Sequence, residues 1–350
     1  MSNLTNKLMK RTHLLMMLAA LMVLTTNAFA QGPNNSGTYY AAANGKKGAE
    51  LKTALCGIIR PGLEDNKVGY KGLWAAYPST DARPDDATKV WDMYSSTSDF
   101  TFGDDQDKGS GGNVEGQFYN REHSFPQEWF GGCEPIKSDL FHVYPTDKMV
   151  NGKRSNHPYG ETDGPGQSAE GFSKWGNCKL EGYSGTVFEP NDIYKGDFAR
   201  SYFYMVTCYE EDIVNPTLSG NDWSGAKAHT IDGKRYPGFQ QWQLDMLMRW
   251  AETDPIDQPV AKETPRNNAV AVLQKNRNPF IDYPGLERYI WGDYTDVAFS
   301  YDNYQIPTEI MTVKEERRAD DNVMYNMAGQ VVDKSYKGIV IMNGRKFVNK

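Results

Sequence analysis

Long apolar stretches are scarce in this 350-residue sequence. The one that stands out, Leu14 to Leu24, has about 11 residues, and a membrane span takes roughly 20. Basic residues precede it, and the small-residue pattern Ala28-Phe29-Ala30 follows it. This order is typical of a secretory signal peptide. We therefore expect residues 1–30 to be removed before Gln31, and the remaining chain to be exported without a membrane span.

Cysteine is also scarce, with four residues: Cys56, Cys133, Cys178 and Cys208. No two of them form a Cys-x-x-Cys pair, which argues against a zinc site. In an oxidising compartment disulfides persist, so the sequence permits one or two bridges. Four cysteines allow three complete pairings, and their spacing does not choose among them. Free, buried thiols are the alternative.

Basic residues are outnumbered, with 38 Lys and Arg against 45 Asp and Glu, and the formal net charge is -7. Nucleic-acid binders usually gain affinity when Lys and Arg neutralise phosphates. The charge therefore argues against an extended surface for polyanions, although a degradative enzyme needs only a local basic strip. The 39% hydrophobic and 24% charged content is ordinary for a folded, soluble protein.

The order of segments predicts a polar leader (31–44), one large domain (45–295) and a C-terminal tail (296–350). Apolar residues at helical spacing predict helices, and a β-branched, aromatic segment at 90–94 suggests a strand. The predicted helices cover 47–59, 199–213, 239–252 and 267–276.

The tail reads as β-rich, with strands joined by a hairpin at Asn343-Gly344. It resembles the C-terminal extensions of secreted Bacteroidota proteins, which are linked to export or surface sorting. An ordinary hairpin packed on the large domain is the alternative.

Residues 120–160 concentrate chemically useful side chains, including three of the five histidines: His123, His142 and His157. Hydrolysis of a phosphodiester needs a base for water, a cation for the phosphate oxygens and donors that hold the substrate. The alternative is that the same residues form a polar loop cluster around a structural turn and have no catalytic role.

A candidate exists for each of these roles. His123 titrates near neutral pH and suits a base, while a carboxylate, an Asn carbonyl and several waters suit Mg2+. Glu122 and Asn151 would supply the first two. Neighbours on a strand point to opposite sides, so Glu122 and His123 can share a site only at an irregularity or at the edge of the element.

The segments NREHSFPQEWF (120–130) and SDLFHVYPTDKMVNGKRSNHPYG (138–160) resemble the signature of the endonuclease I family of ββα-metal (His-Me finger) nucleases. The similarity continues through GDFARSYFYM and 254–292 and covers roughly 45–292. It implies an α+β fold, mainly helical, in which a single catalytic domain holds a ββα-metal core and a small β-rich tail follows.

The resemblance also implies residue roles. His123 would be the general base, and Glu122 and Asn151 would hold Mg2+, with Mn2+ or Ca2+ as alternatives. Arg154 lies where the family commonly has an arginine that binds the scissile phosphate or stabilises its charge. Arg121 and Lys153 would bind substrate beside it, and His142 and Asn156 would support the site from behind. One departure is that Phe141 precedes His142, where the family often has a histidine.

The expected enzyme is thus a secreted, metal-dependent endonuclease that is monomeric, contacts mainly phosphates of DNA or also RNA, and leaves 5'-phosphate ends. Two rivals remain. Aromatics such as Trp74, Trp129 and Trp223 could stack on sugars, which would suit an extracellular glycan- or surface-binding protein without nuclease activity. The same metal site could instead act on small phosphodiesters.

Overall fold

The computed structural model describes residues 31–64, 68–216, 222–258, 261–307, 324–326, 331–333, 335–342 and 345–349. The predicted signal peptide lies outside these residues. Contacts divide the chain into one unit that ends at Ile306 and a second that begins at Pro307. Among the described helices, none is both long and apolar enough to span a membrane.

The first unit is mainly helical, as the sequence predicts. Its α-helices are α1 (Gly48–Ile59), α2 (Pro61–Glu64), α3 (Gly69–Thr80), α4 (Lys148–Arg154), α5 (Lys195–Cys208), α6 (Glu210–Val214), α7 (Ser224–His229), α8 (Gln241–Thr253), α9 (Glu263–Gln274), α10 (Pro279–Asp282) and α11 (Leu286–Trp291). Its strands are β1 (Tyr119–His123), β2 (Val143–Asp147), β3 (Gly166–Gln167), β4 (Lys174–Asn177) and β5 (Thr186–Glu189).

Helix α5 forms the centre of the first unit, because every residue from Phe198 to Cys208 is buried. It packs against α1 and α8, whose apolar residues recur at helical spacing and so form one stripe toward the core. The helices predicted over 47–59, 199–213, 239–252 and 267–276 are confirmed as α1, α5 with α6, α8 and α9.

A compact ββα unit carries most of the motif residues. Strands β1 and β2 are antiparallel, and their register runs from Tyr119 opposite Asp147 to His123 opposite Val143. Helix α4 begins directly after β2, because the Asp147 carboxylate accepts a hydrogen bond from the Val150 backbone N–H (2.9 Å) and caps the first turn.

The strand predicted at 90–94 is wrong. Val90 and Trp91 each make one backbone bond, to Phe100 and Asp81, and no ladder forms. The Asp92 carboxylate instead accepts the Tyr94 backbone N–H (2.8 Å), which bends the chain. The residues are buried as a strand would be, so their aromatic composition reflects burial in the core rather than pairing.

The large domain extends beyond both of its predicted boundaries, at residues 45 and 295. Tyr40, in the predicted leader, is fully buried and its hydroxyl donates to Asp282 (2.6 Å). Phe299, in the predicted tail, is buried as well, and its N–H donates to the Lys46 carbonyl (2.9 Å). Both segments thus belong to the first unit, since their aromatic side chains complete its core.

The second unit is a small antiparallel sheet of β6 (Met324–Asn326), β7 (Val331–Val332), β8 (Gly338–Met342) and β9 (Arg345–Asn349), in the order β7-β6-β8-β9. Met342 pairs with Arg345, which is the register of a two-residue connection. The predicted Asn343-Gly344 turn lies at that connection but outside the described residues. Sorting by this tail stays a prediction.

All four cysteines are free thiols. Cys56 and Cys208 lie on the packed helices α1 and α5, where the Cys56 thiol donates to the Cys208 carbonyl (3.5 Å). Burial raises the pKa of Cys56 to about 11, so its thiolate, the reactive form, is suppressed. Of the two readings that the sequence permits, the structure has the free thiols.

Candidate active site

Strand β1 presents its motif residues alternately to two sides. Asn120 and Glu122 are hydrogen-bonded to side chains of α4, whereas Arg121 and His123 contact Tyr70 of α3. The register is regular up to His123, and side chains alternate along a regular strand. Glu122 and His123 can therefore act on one substrate only at the end of β1.

The Glu122 side chain is 3% exposed, and only one of its oxygens is committed. Its Oε1 accepts hydrogen bonds from Arg154 Nη1 (2.6 Å) and the Tyr94 hydroxyl (2.9 Å). Both of these side-chain donors use Oε1, and among the described residues no side chain donates to Oε2. Burial raises the pKa of Glu122 to about 7, against the opposing effect of the Arg154 charge. The carboxylate is thus held by one oxygen and open at the other.

Asn151 is oriented in a similar way. Its Nδ2 donates to Asn120 Oδ1 (2.7 Å). The side-chain oxygen of Asn151, Oδ1, therefore remains available to a ligand. The strand pair Asn120 and Glu122 (i, i+2) meets the helix pair Asn151 and Arg154 (i, i+3), so the open oxygens of Glu122 and Asn151 belong to the same strand–helix junction.

This donor set fits a hydrated divalent cation. In the described ranges no group of three or more His, Cys, Asp or Glu side chains could hold a metal, so a protein cage for zinc is not available there. One carboxylate oxygen and one amide oxygen, with waters completing the shell, are what Mg2+ accepts. Glu122 and Asn151 are thus the residues that would hold such a cation, and Mg2+ stays a prediction.

His123 is 5% exposed and held in one tautomer. Its Nε2 lies 3.0 Å from the Lys137 carbonyl oxygen, and because a carbonyl only accepts, Nε2 carries the proton. Nδ1 is then the unprotonated nitrogen. Burial, and next the neighbouring His142, lower the pKa of His123 to about 3. The imidazole is therefore neutral and able to accept a proton.

The environment of Arg154 differs from the one predicted from the sequence, which was a site facing the scissile phosphate. Its side chain is 1% exposed and forms a buried ion pair with Glu122, and it also donates to the carbonyls of His123 (2.6 Å) and Ser124. A guanidinium enclosed in this way does not reach a bound phosphate. In this position Arg154 holds the Glu122 carboxylate and the end of β1.

Comparison with known proteins identifies the family of this chain. The Endonuclease I family profile matches residues 47–285. The chain belongs to the endonuclease I family. An extracellular ribonuclease of Bacillus amyloliquefaciens is 32% identical over 270 residues, which are 76% of this chain and 82% of the relative. A protein of the same name from Bacillus subtilis (strain 168) is 32% identical over 258 residues (73% and 78%).

A protein named Endonuclease-1 from Buchnera aphidicola subsp. Baizongia pistaciae is 34% identical over 150 residues, or 42% of this chain and 47% of the relative. The present endonuclease is therefore a hydrolase that acts on nucleic acids.

The other predicted site residues of the endonuclease differ in how far they are exposed and in what they contact. Lys153 is exposed on α4, and Arg121 is half-buried with its Nη1 donating to the Tyr70 carbonyl (2.7 Å). His142 is fully buried, 5.5 Å from His123 between ring centres, and bonded to the Ile136 carbonyl (2.6 Å). Asn156 donates to Glu128. Their roles stay predictions.

Sequence reasoning missed four residues that shape the endonuclease site: Tyr70, Tyr94, Asn120 and Lys137. Tyr94 holds Glu122 from a segment that was predicted to be a strand, and no local pattern marks it. Asn120 and Lys137 lie within or beside the two motifs, and Asn120 precedes Glu122 by the two positions that place side chains on one side of a strand. That spacing is the signal that could have found Asn120.

Proposed function

We propose that this endonuclease is exported and hydrolyses phosphodiester bonds of DNA, and also of RNA, with one Mg2+ and His123 as the general base. The observation that carries the proposal is the His123 geometry: Nε2 is hydrogen-bonded to the Lys137 carbonyl, so Nδ1 keeps a free lone pair that can accept a proton. Glu122 and Asn151 also support the proposal, because each has, at the same strand–helix junction, a side-chain oxygen to which no side chain of the described residues donates.

In the proposed reaction, His123 Nδ1 takes a proton from a water molecule, whose oxygen attacks phosphorus in line with the 3' oxygen. The bond from phosphorus to that 3' oxygen breaks, and the 3' oxygen takes up a proton from solvent, which leaves a 5'-phosphate and a 3'-hydroxyl. His123 then returns its proton to solvent. Mg2+ held by Glu122 and Asn151 would supply charge neutralisation for the phosphate oxygens and the leaving oxygen.

Positioning residues keep this geometry fixed before substrate arrives. Arg154 and Tyr94 fix Glu122 through Oε1, and Arg154 also holds the His123 carbonyl (2.6 Å). Because these partners are buried, they move little when substrate binds, and preorganised groups lose no reorganisation energy during the reaction.

DNA and RNA are the two candidate substrates. Relatives named extracellular ribonuclease favour RNA and an exported enzyme, whereas the Endonuclease-1 name leaves DNA equally eligible. Contacts directed at phosphates carry little sequence information, so we propose a monomeric enzyme of low sequence selectivity. Parallel assays on DNA and RNA of matched length would rank the two.

Calorimetric titration of Mg2+ into the mature protein (31–350) tests the cation site. We expect binding that is lost in Glu122→Gln and in Asn151→Ala, together with cleavage that EDTA stops. The cut ends should be sealed by a ligase that requires 5'-phosphates. Cleavage that persists in EDTA would refute the metal site, and glycan binding without any cleavage would favour the non-enzymatic rival.

A further inference from the structure

Lys137 contacts the catalytic region through both its backbone and its side chain. Its carbonyl accepts the His123 Nε2 hydrogen (3.0 Å). Its ammonium nitrogen lies 4.7 Å from the centre of the Tyr70 ring. One residue thus orients the proposed base and places a positive charge beside it.

Tyr70, near the start of α3, provides the surface on which this charge rests. Its ring stacks on His123, with ring centres 5.7 Å apart and an angle of 24°. The Arg121 guanidinium lies 3.6 Å from the centre of the same ring. An aromatic ring attracts cations electrostatically, so Tyr70 gathers Lys137 and Arg121 next to His123.

The Lys137 charge is not neutralised locally. Across the part of the chain that the structure describes, no carboxylate lies within ion-pair distance of Lys137, whereas Lys148 pairs with Asp107 (2.7 Å) and Lys195 pairs with Glu189 (2.8 Å). An ammonium has three donors, and contact with a ring leaves donors free. Lys137 is only partly buried, so these donors can meet a ligand.

A phosphate ligand needs a cation on this side of β1, and Arg154 does not supply it. The Arg154 guanidinium is buried against Glu122 on the other side of the strand. The charge that the sequence analysis assigned to Arg154 has to come from another residue, and Lys137 has the position and the free donors for it.

We propose that Lys137 binds a backbone phosphate of the substrate beside His123, with Tyr70 holding its side chain in place. The inference rests on the proposed function, because it takes the substrate to be a nucleic acid. It adds a phosphate-binding residue that the motifs did not indicate. Since the Lys137 backbone also holds His123, the bound phosphate and the base keep a fixed spacing.

Binding of a short fluorescein-labelled DNA duplex, followed by fluorescence anisotropy in EDTA over a range of NaCl concentrations, tests the proposal. His123→Ala serves as the parent, so that the duplex stays intact. Adding Lys137→Ala should weaken binding roughly tenfold at low salt. It should also reduce the slope of log K against log[salt] by about 0.9, the value for one lost phosphate contact.

Lys137→Arg, which keeps the charge, should restore the parental slope. Lys47→Ala is the matched control. Lys47 is exposed and adjoins Gly48, which lies beside Thr295 rather than beside any site residue, so this change should leave the slope unchanged. If Lys137→Ala melts early, Lys137→Met, which keeps the aliphatic stem on Tyr70, replaces it.

An unchanged slope in the Lys137 variants would overturn the inference, as would an equal loss in Lys47→Ala. Failure of the proposed function has a different signature: the protein with His123 intact would leave the same duplex uncut in Mg2+, or would cut it equally in EDTA, whatever the Lys137 variants bind.

Discussion

At the scale of single residues, function depends on which atoms of each side chain are already bonded. Glu122 uses Oε1 for Arg154 and Tyr94, and His123 uses Nε2 for Lys137. The remaining atom of each, Oε2 and Nδ1, is the one available for chemistry. The sequence motif indicates the residue types but cannot indicate which atom is free, since that follows from distant partners.

Arg154→Ala should destabilise the protein as well as inactivate it. Removing one partner of a buried ion pair leaves the other charge buried and unpaired, which costs about 3 kcal/mol or more. Urea unfolding measures the loss. Lys153→Ala, on the exposed side of the same helix, should stay within about 0.5 kcal/mol of the parent. An Arg154→Ala protein of parental stability that fails only in substrate binding would restore the phosphate-binding role.

His123 should stay neutral in the metal-free protein from pH 8 down to pH 5, because burial lowers its pKa to about 3. In the unfolded chain the imidazole takes up its proton near 6.5. The stability due to His123 is therefore complete above that pH and is lost as the pH falls toward 3. NMR titration of the imidazole protons checks this, and a midpoint near 6.5 in the folded protein would contradict it.

At the scale of elements, the site forms where β1 meets α4. Two strand residues spaced i, i+2 meet two helix residues spaced i, i+3, and the pairs Asn120–Asn151 and Glu122–Arg154 result. The Asp147 cap fixes where α4 begins, so the helix presents Asn151 and Arg154 to the strand rather than other residues.

Asn120→Ala should weaken Mg2+ binding about tenfold or more, as expected when the partner that orients a metal ligand is removed. Calorimetric titration measures the affinity. Asn177→Ala, on the separate sheet of β3 to β5, is a matched change that should leave the affinity intact. Equal affinity in the Asn120 variant and the parent would show that Asn151 needs no orienting partner.

The sequence predicted elements better than contacts. Helices α1, α5, α8 and α9 follow from apolar spacing, and the ββα unit follows from its motifs. The strand expected at 90–94 does not form because the Asp92 carboxylate accepts the Tyr94 backbone N–H. Hydrophobic periodicity does not report such a local side-chain bond. The burial of Arg154 was missed because its partner Glu122 lies 32 positions earlier in the chain.

At the scale of the whole molecule, the first unit extends over both predicted boundaries. Deleting 31–44 should therefore destabilise the enzyme, because it removes the buried Tyr40 and its bond to Asp282. Deleting 307–350 removes only the second unit, and nuclease activity should remain. Thermal melts and cleavage assays of both truncations check this, and a reversed order of effects would contradict the assignment.

The overall charge of -7 and the local charge of the site also differ. Arg121 and Lys137 meet around Tyr70, beside the neutral His123, and these two cations form a local basic strip. Because the strip is small, affinity should rest on few phosphate contacts, and that suits an enzyme that releases its products.

The most direct measurement is cleavage of a supercoiled plasmid by the mature protein in Mg2+, in EDTA, and by His123→Ala in Mg2+. We expect nicked and linear products only in the first reaction, with His123→Ala still folded and still binding DNA. Parental cleavage by His123→Ala would contradict the assignment of His123 as the base and, with it, the proposed hydrolysis.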